Sequence, residues 1–124
     1  MTSKTKNIIN WVLTALVALV FIGSASGKII GEANTLKMAE NFGISAAAFK
    51  IIGIIEVVAA LLFVFPRTGV LGAFILIAFM GGAIATHIEH NQPFVFQLII
   101  SAFLWIVTIV RFPELLERIT GKRG

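Results

Sequence analysis

Four long apolar runs make up most of the chain, and short polar segments separate them. The runs cover residues 8–27, 44–65, 69–86 and 94–110. Each is long enough to cross the hydrocarbon core of a bilayer as a helix, which takes roughly 17–25 residues. The last three runs are joined by short turns, so consecutive helices should be antiparallel neighbours. The pattern predicts an all-α integral membrane protein: one domain over residues 1–124, folded as an antiparallel four-helix bundle.

The only long connection lies between the first and second runs. Within it, Leu36, Ala39 and Phe42 recur at helical spacing among charged residues. This pattern predicts a short amphipathic helix lying in the membrane interface. Gly43 is suited to end that helix and Ser45 to cap the next one. The basic start and small-residue end of the first run also resemble a secretory signal, but the run is long for one, so we expect a retained helix.

Composition and charge place the chain in a membrane and orient it. Hydrophobic residues make up 58% of the chain and charged residues 13%, where soluble domains have about 25% charged residues. The net charge of +4 comes from basic residues outside or near the ends of the apolar runs, so we expect anionic lipid headgroups as partners and no nucleic acid. Basic residues concentrate on the side of the two termini, which predicts cytoplasmic termini. These residues are Lys4, Lys6, Arg67, Arg111, Arg118, Lys122 and Arg123.

Glu56 is the most unusual residue of the chain, because it interrupts the second run near its middle. It lies about 18 Å along a helix from Ile44, which is close to mid-membrane. An ionisable group at that depth costs at least a few kcal/mol unless it has a partner, water or a proton. Gly53, Ala59 and Ala60 occupy the same helical face, which predicts that this face turns towards protein. Glu56 is therefore either a proton-accepting or ligand-orienting group in a polar pocket, or a neutral carboxyl that specifies packing.

Other ionisable residues stand nearer the ends of the runs. Lys50 is six residues before Glu56, about 120° away around a helix, so it either extends to the headgroups or bonds within the outer half of the bundle. His87, Glu89 and His90 follow the third run. They favour interfacial hydrogen bonding, with His87 as an inward gate or proton relay as one alternative. Metal or haem ligation is another alternative, but the donor set is thin and we expect no metal site.

Two further patterns concern the bundle interior. Gln97, Ser101 and Thr108 form one stripe on the fourth run, and Asn10 and Thr14 a shorter one on the first, so we expect them to line the interior around the carboxylate. The third run is rich in small residues, which allow close helix packing or, alternatively, leave a slot for a ligand. They are Gly69, Gly72, Ala73, Ala78, Gly81, Gly82, Ala83 and Ala85.

Several short motifs, taken in order from Trp11 to Arg111, resemble the DoxX-like family of small four-helix membrane proteins. They are Gly53-Ile54-Ile55-Glu56, Pro66-Arg67-Thr68, Met80-Gly81-Gly82-Ala83 and Thr86-His87. The family is named for a membrane subunit associated with a thiosulfate:quinone oxidoreductase, and other members occur with quinone or catechol stress functions. The resemblance implies that Glu56, Lys28 and His87 occupy characteristic polar positions, and that the protein lies in a bacterial-type plasma membrane. Cysteine is absent, so thiol-based activity is excluded.

The leading functional hypothesis is a protein that binds a hydrophobic redox-active molecule, such as a quinone as cofactor or ligand. Glu56 would contact it with help from Lys50 or His87. The chain would act either as a subunit of a membrane oxidoreductase or as a small binding protein by itself. One alternative is a non-catalytic assembly or partner-docking protein, and another is a small proton-coupled transporter, which would need a homo-oligomer to form a path. Aromatic residues available to hold a ring are Phe49, Phe63, Phe74, Phe79 and Phe103.

Overall fold

The computed structural model describes residues 2–122, which form six α-helices and no strand. Arg123, predicted to lie on the cytoplasmic side, is outside the described residues. The helices are α1 (Ser3–Ile30), α2 (Ala33–Asn41), α3 (Ala46–Val64), α4 (Gly69–Glu89), α5 (Val95–Arg111) and α6 (Glu114–Thr120).

The first helix is longer than its apolar run. The Thr2 side chain caps α1 by accepting the backbone N–H of Thr5, and the helix ends where Gly31 adopts a left-handed conformation with φ of 81°. Its 28 residues extend about 42 Å, which exceeds the roughly 30 Å hydrocarbon core. The helix therefore extends beyond the predicted span of residues 8–27 at both ends, because capping groups rather than hydrophobicity decide where it begins and ends.

The predicted short helix between the first two runs is present as α2. Glu32 caps it by accepting the N–H groups of Asn34 and Thr35, both at 3.1 Å, and the Thr35 hydroxyl at 3.0 Å. These hydrogen bonds stabilise the charged carboxylate and lower the pKa of Glu32. The bond from the Asn34 N–H contributes most. Gly43 follows α2 with a φ of 69°, and Ser45 caps α3, both as predicted.

The helix formed by the third apolar run continues into the turn predicted to follow it. The turn was expected over residues 87–93, but α4 continues to Glu89, so His87 is part of the helix. Nothing between residues 87 and 89 opposes a helix. The first residues that do are Asn91, with a φ of 55°, and Pro93.

Three helices, α1, α3 and α4, are long and apolar enough by length and composition to cross a membrane. The fourth candidate, α5, has 17 residues and is followed by α6 at an angle of 111°; counting the pair as one span raises the total to four. The α5 helix begins at Val95, one residue after the start of the fourth apolar run.

The long helices pack in a cycle: α1 against α3, α3 against α4, α4 against α5, and α5 against α1. Their inward faces form one apolar core, while the remaining faces expose large aliphatic and aromatic side chains, as expected of helices surrounded by lipid. The core includes Val17, Phe21, Ala60, Phe63, Leu76, Met80, Leu104 and Val107.

The glycines of α4 have different surroundings in the two halves of the helix. At Gly72 a Cβ atom would lie 2.3 Å from the Phe63 nitrogen and 2.7 Å from the Ala59 oxygen, so α3 and α4 are in backbone contact there. At Gly81 and Gly82 a Cβ atom would meet nothing within 4 Å. The close-packing prediction is confirmed for the first half of α4 and is wrong for these two glycines.

The end of α3 is fastened by side chains from other elements. Arg111 donates hydrogen bonds to the carbonyl oxygens of Phe63 and Val64, the latter at 2.6 Å. The Thr68 hydroxyl donates to the Leu62 carbonyl at 2.7 Å. Carbonyls in the last turn of a helix have no partner within that helix, so these bonds satisfy groups that would otherwise be unpaired.

Candidate functional site

A buried ion pair joins α1 to α3. The Lys28 ammonium lies 2.8 Å from Glu56 Oε1, and the two side chains are 10% and 1% exposed. Gly53 makes this approach possible, because a Cβ atom there would lie 2.9 Å from the Lys28 Cβ. Glu56 is near the middle of α3, while Lys28 is two residues from the end of α1. The predicted protein-facing orientation of the Glu56 face is confirmed.

Three more groups surround the Lys28 ammonium. It donates a hydrogen bond to the Ser24 hydroxyl oxygen at 2.8 Å. It also lies over the rings of Phe49 and Phe79, at 5.5 and 5.2 Å from their centroids, distances at which a cation is attracted to the ring face. The ammonium is thus held by one carboxylate, one hydroxyl and two aromatic rings.

The ion pair borders a cavity of about 570 Å³ that is partly open to the surroundings. Residues of α1, α3, α4 and α5 line it, together with residues of α2 and of the segment that follows. Most of the wall is apolar, and five phenylalanines contribute to it: Phe21, Phe42, Phe49, Phe79 and Phe96. The polar lining residues are Ser24, Lys28, Glu56, Thr86, His87 and Gln97.

Two buried oxygen atoms on the lining residues have no hydrogen-bond partner among residues 2–122: Glu56 Oε2 and Gln97 Oε1. Buried polar atoms in folded proteins nearly always have a partner, so two unpaired acceptors on the wall of one cavity need an explanation. A bound molecule that reaches these atoms would supply it.

His87 also faces the cavity, with its ring fixed by α4 itself. Its Nδ1 lies 2.6 Å from the Ala83 carbonyl oxygen. A carbonyl oxygen only accepts, so Nδ1 carries the hydrogen and Nε2 is the free ring nitrogen. Phe42, which follows α2, packs edge-on against His87 with ring centroids 4.8 Å apart. Met38 of α2 and Phe42 after it therefore form part of the cavity wall.

The other predicted site residues lie elsewhere. Lys50 is exposed and is not a lining residue. Thr14 and Thr108 are buried, but each hydroxyl donates to a carbonyl one turn earlier in its own helix, at 2.7 Å. Ser101 is half-buried and outside the cavity wall. Of the predicted aromatic residues, Phe49 and Phe79 line the cavity, whereas Phe63 belongs to the core.

Sequence reasoning named Lys28 and Glu56 separately but missed that they pair. Helical spacing relates residues within one helix only, and these two are 28 positions apart in sequence. Two features of the sequence could have indicated the pair. Lys28 is a cation near the end of the first span, and the small residues beside Glu56 leave room for a side chain from that span.

The model of the DoxX-like family matches residues 12–110. The chain belongs to the DoxX-like family. The DoxX-like segment contains the ion pair, His87 and Gln97, and it ends before α6. No curated protein and no solved structure matches this DoxX-like chain.

Proposed function

We propose that this DoxX-like membrane protein binds a hydrophobic, redox-active ring compound of the quinone type in the cavity beside Glu56. The observation that carries the proposal is the unpaired, buried Oε2 atom of Glu56 on the wall of a largely apolar cavity. Lys28 engages Oε1, which leaves Oε2 to hydrogen-bond the head group of the ligand or to exchange a proton with it.

The size and lining of the cavity support a ligand of this class. Small-molecule sites are typically about 300–1,000 Å³, mostly apolar, with a few converging polar groups. A volume of about 570 Å³ accommodates a substituted ring with part of a hydrocarbon chain. The rings of Phe49 and Phe79 offer flat apolar surfaces next to the ion pair, and the partial opening gives a lipid-soluble molecule a way in.

We also propose the membrane arrangement in which this site operates: an antiparallel four-helix bundle of α1, α3, α4 and α5, with both termini cytoplasmic, in a bacterial-type plasma membrane. Contacts support it. Arg111 at the end of α5 lies 5.8 Å from the Trp11 ring near the start of α1, and it bonds the end of α3. At the opposite ends of these helices, Lys28 of α1 meets Glu56 and Gly53 of α3.

A role as the ligand-binding subunit of a membrane oxidoreductase is part of the proposal. The chain has no cysteine, so it brings neither thiol redox chemistry nor cysteine ligands for an iron–sulfur cluster. A redox reaction of the ligand through such groups would therefore need a partner protein. Pull-down after mild solubilisation tests this role, which requires a stoichiometric membrane partner that carries a redox centre.

Thermal unfolding of the purified protein in detergent tests ligand binding directly. Short-chain quinones should raise the midpoint, since a ligand at about 100 times its Kd stabilises by about 2.7 kcal/mol. Gly82→Phe places a ring in the cavity and should abolish the rise, whereas Gly81→Phe, on the neighbouring residue that does not line the cavity, should preserve it. Equal responses of the two variants, or no response of the unmodified protein, would contradict the proposal.

A further inference from the structure

Resting on that proposed function, we infer that the cavity selects a ligand that donates hydrogen bonds. It should bind the hydroxyl-bearing, aromatic diol form of a ring compound more tightly than the matching carbonyl form. The polar groups on the cavity wall differ in what they can offer a ligand. Some still have a hydrogen to donate, and others have only lone pairs that accept one.

Glu56 offers lone pairs only. A carboxylate accepts hydrogen bonds at both oxygens, and the Lys28 ammonium bonds Oε1 of this one. Oε2 is buried and unpaired. A carbonyl oxygen brought against Oε2 would leave both atoms without a donor, whereas a hydroxyl would satisfy the carboxylate with a charge-assisted bond.

The strongest donor near the cavity, the Lys28 ammonium, has used two of its three hydrogens. The Lys28 ammonium bonds Glu56 and Ser24 at 2.8 Å each and lies over two phenylalanine rings. One hydrogen remains beside the two rings, and moving the ammonium away to follow a ligand carbonyl would weaken the ion pair in an apolar region, where an unpaired charge is costly.

The α4 side chains on the wall are also acceptors. His87 gives its Nδ1 hydrogen to the Ala83 carbonyl at 2.6 Å, and with the ring hydrogen on Nδ1 the other nitrogen, Nε2, offers a lone pair. The Thr86 hydroxyl gives its hydrogen to the Gly82 carbonyl at 2.8 Å, which leaves lone pairs on its oxygen.

Two groups are less restrictive. The buried unpaired atom of Gln97 is its carbonyl oxygen, but a carboxamide can rotate and present its N–H instead. The Ser24 hydroxyl retains one hydrogen and lies beside the Glu56 carboxylate, yet it makes no hydrogen bond with Oε2. Neither group reverses the balance, because the buried atom beside the ion pair that lacks a partner among residues 2–122, Glu56 Oε2, is an acceptor.

The size of the preference follows from the cost of leaving a buried acceptor unpaired. Sites built to bond a hydroxyl discriminate strongly against analogues that lack it. One bond to a charged group corresponds to roughly tenfold or more in affinity. We therefore expect the diol to bind at least about tenfold more tightly than its carbonyl counterpart.

The test compares three probes built on one ring: tetramethylhydroquinone, tetramethylbenzoquinone, and the dimethyl ether of the hydroquinone, which has similar bulk but no hydrogen to donate. Dissociation constants are measured anaerobically by calorimetry on the full chain in lipid nanodiscs. The inference requires the diol to bind tightest, with the ether at least as weak as the quinone. A quinone that binds as tightly as the diol overturns the inference and leaves the proposed function standing. No binding by any probe overturns both.

Variants tie the preference to named atoms. Glu56→Gln should reduce the diol-to-quinone affinity ratio towards one, because a carboxamide serves either ligand. Gln97→Leu, which leaves the ion pair intact, should lower the affinity for the diol while keeping it the preferred probe. Glu89→Gln, an exposed acid on α4 away from the wall, should leave the ratio unchanged. A ratio unaltered in a folded Glu56→Gln protein would also overturn the inference.

Discussion

At the scale of single residues, removing Lys28 should destabilise the protein more than removing Glu56, although the two form one ion pair. Lys28→Met leaves a carboxylate in the middle of α3, where a short side chain cannot reach water, and we expect a loss of about 3–5 kcal/mol in the free energy of unfolding. Glu56→Leu should cost less, because Lys28 is two residues from the end of α1 and its long side chain can extend to the headgroups. Chemical denaturation in mixed micelles measures both losses.

The double variant Lys28→Met with Glu56→Leu is the control for this prediction. Replacing both members of a buried pair with apolar residues is often neutral or stabilising, so the double variant should recover most of the stability lost in Lys28→Met. Additive losses in the two single variants would mean that the pair is not coupled as described.

Single residues were also where sequence reasoning succeeded and failed most clearly. Glu56 could be found without a structure, because an acid inside a largely apolar run of 22 residues is costly and the small residues on its face indicate what that face contacts. Its partner could not be found in this way, because the cation that reaches Glu56 depends on the relative position of α1 and α3 along their axes. Thr14 and Thr108, from two different polar stripes, are buried in the interior but lie outside the cavity wall, since a hydroxyl in an apolar helix can donate to a carbonyl one turn earlier.

At the scale of helices, Gly72 and Gly81 on α4 provide a matched pair. Gly72→Ala places a methyl group against the α3 backbone, which can yield only if the helices separate, so we expect a loss of about 1–3 kcal/mol. Gly81→Ala meets open space and should be neutral or stabilising by up to about 1 kcal/mol, because alanine favours helix more than glycine does. Thermal unfolding of both variants in one detergent measures the difference, and equal midpoints would contradict the described packing.

Arg111 links helices that are distant in sequence. Arg111→Met removes two hydrogen bonds from the end of α3 and should cost about 2–3 kcal/mol. Arg111→Lys should lose part of this, because one ammonium cannot reproduce the two-pronged geometry of a guanidinium. Arg67→Met removes a charge from the same predicted side of the membrane, but Arg67 is exposed, so this control should unfold like the unmodified protein.

The helices themselves were the most predictable part of the fold. Apolar runs located α3 and α5 to within two residues, and turn chemistry at Gly43 and Ser45 located the start of α3. The helices extend beyond the apolar runs where polar residues are also helical. This occurs in the polar first turn of α1 and in α4 beyond residue 86, where no residue opposes the helix.

For the whole molecule, the proposed four-helix bundle requires α5 to cross the membrane. It has 17 residues, and α6 turns away from it by 111°, so length alone permits a crossing or a shallower path. The positive-inside distribution and the contact of Arg111 with the end of α3 both favour a crossing, which would return the end of α5 to the side where α1 begins.

Absence of cysteine makes this arrangement testable without background labelling. Single cysteines at the exposed positions Ser3, Glu40, Gln92 and Thr120 leave every basic residue in place, so they do not disturb the charge signal that orients the chain. In sealed spheroplasts, an impermeant maleimide should label the variants at 40 and 92 but not those at 3 and 120 until the membrane is opened. Labelling of Gln92→Cys and Thr120→Cys from the same side would mean that α5 turns back within the bilayer. Its contribution to the cavity wall through Gln97 would then belong to a re-entrant segment rather than to a fourth spanning helix.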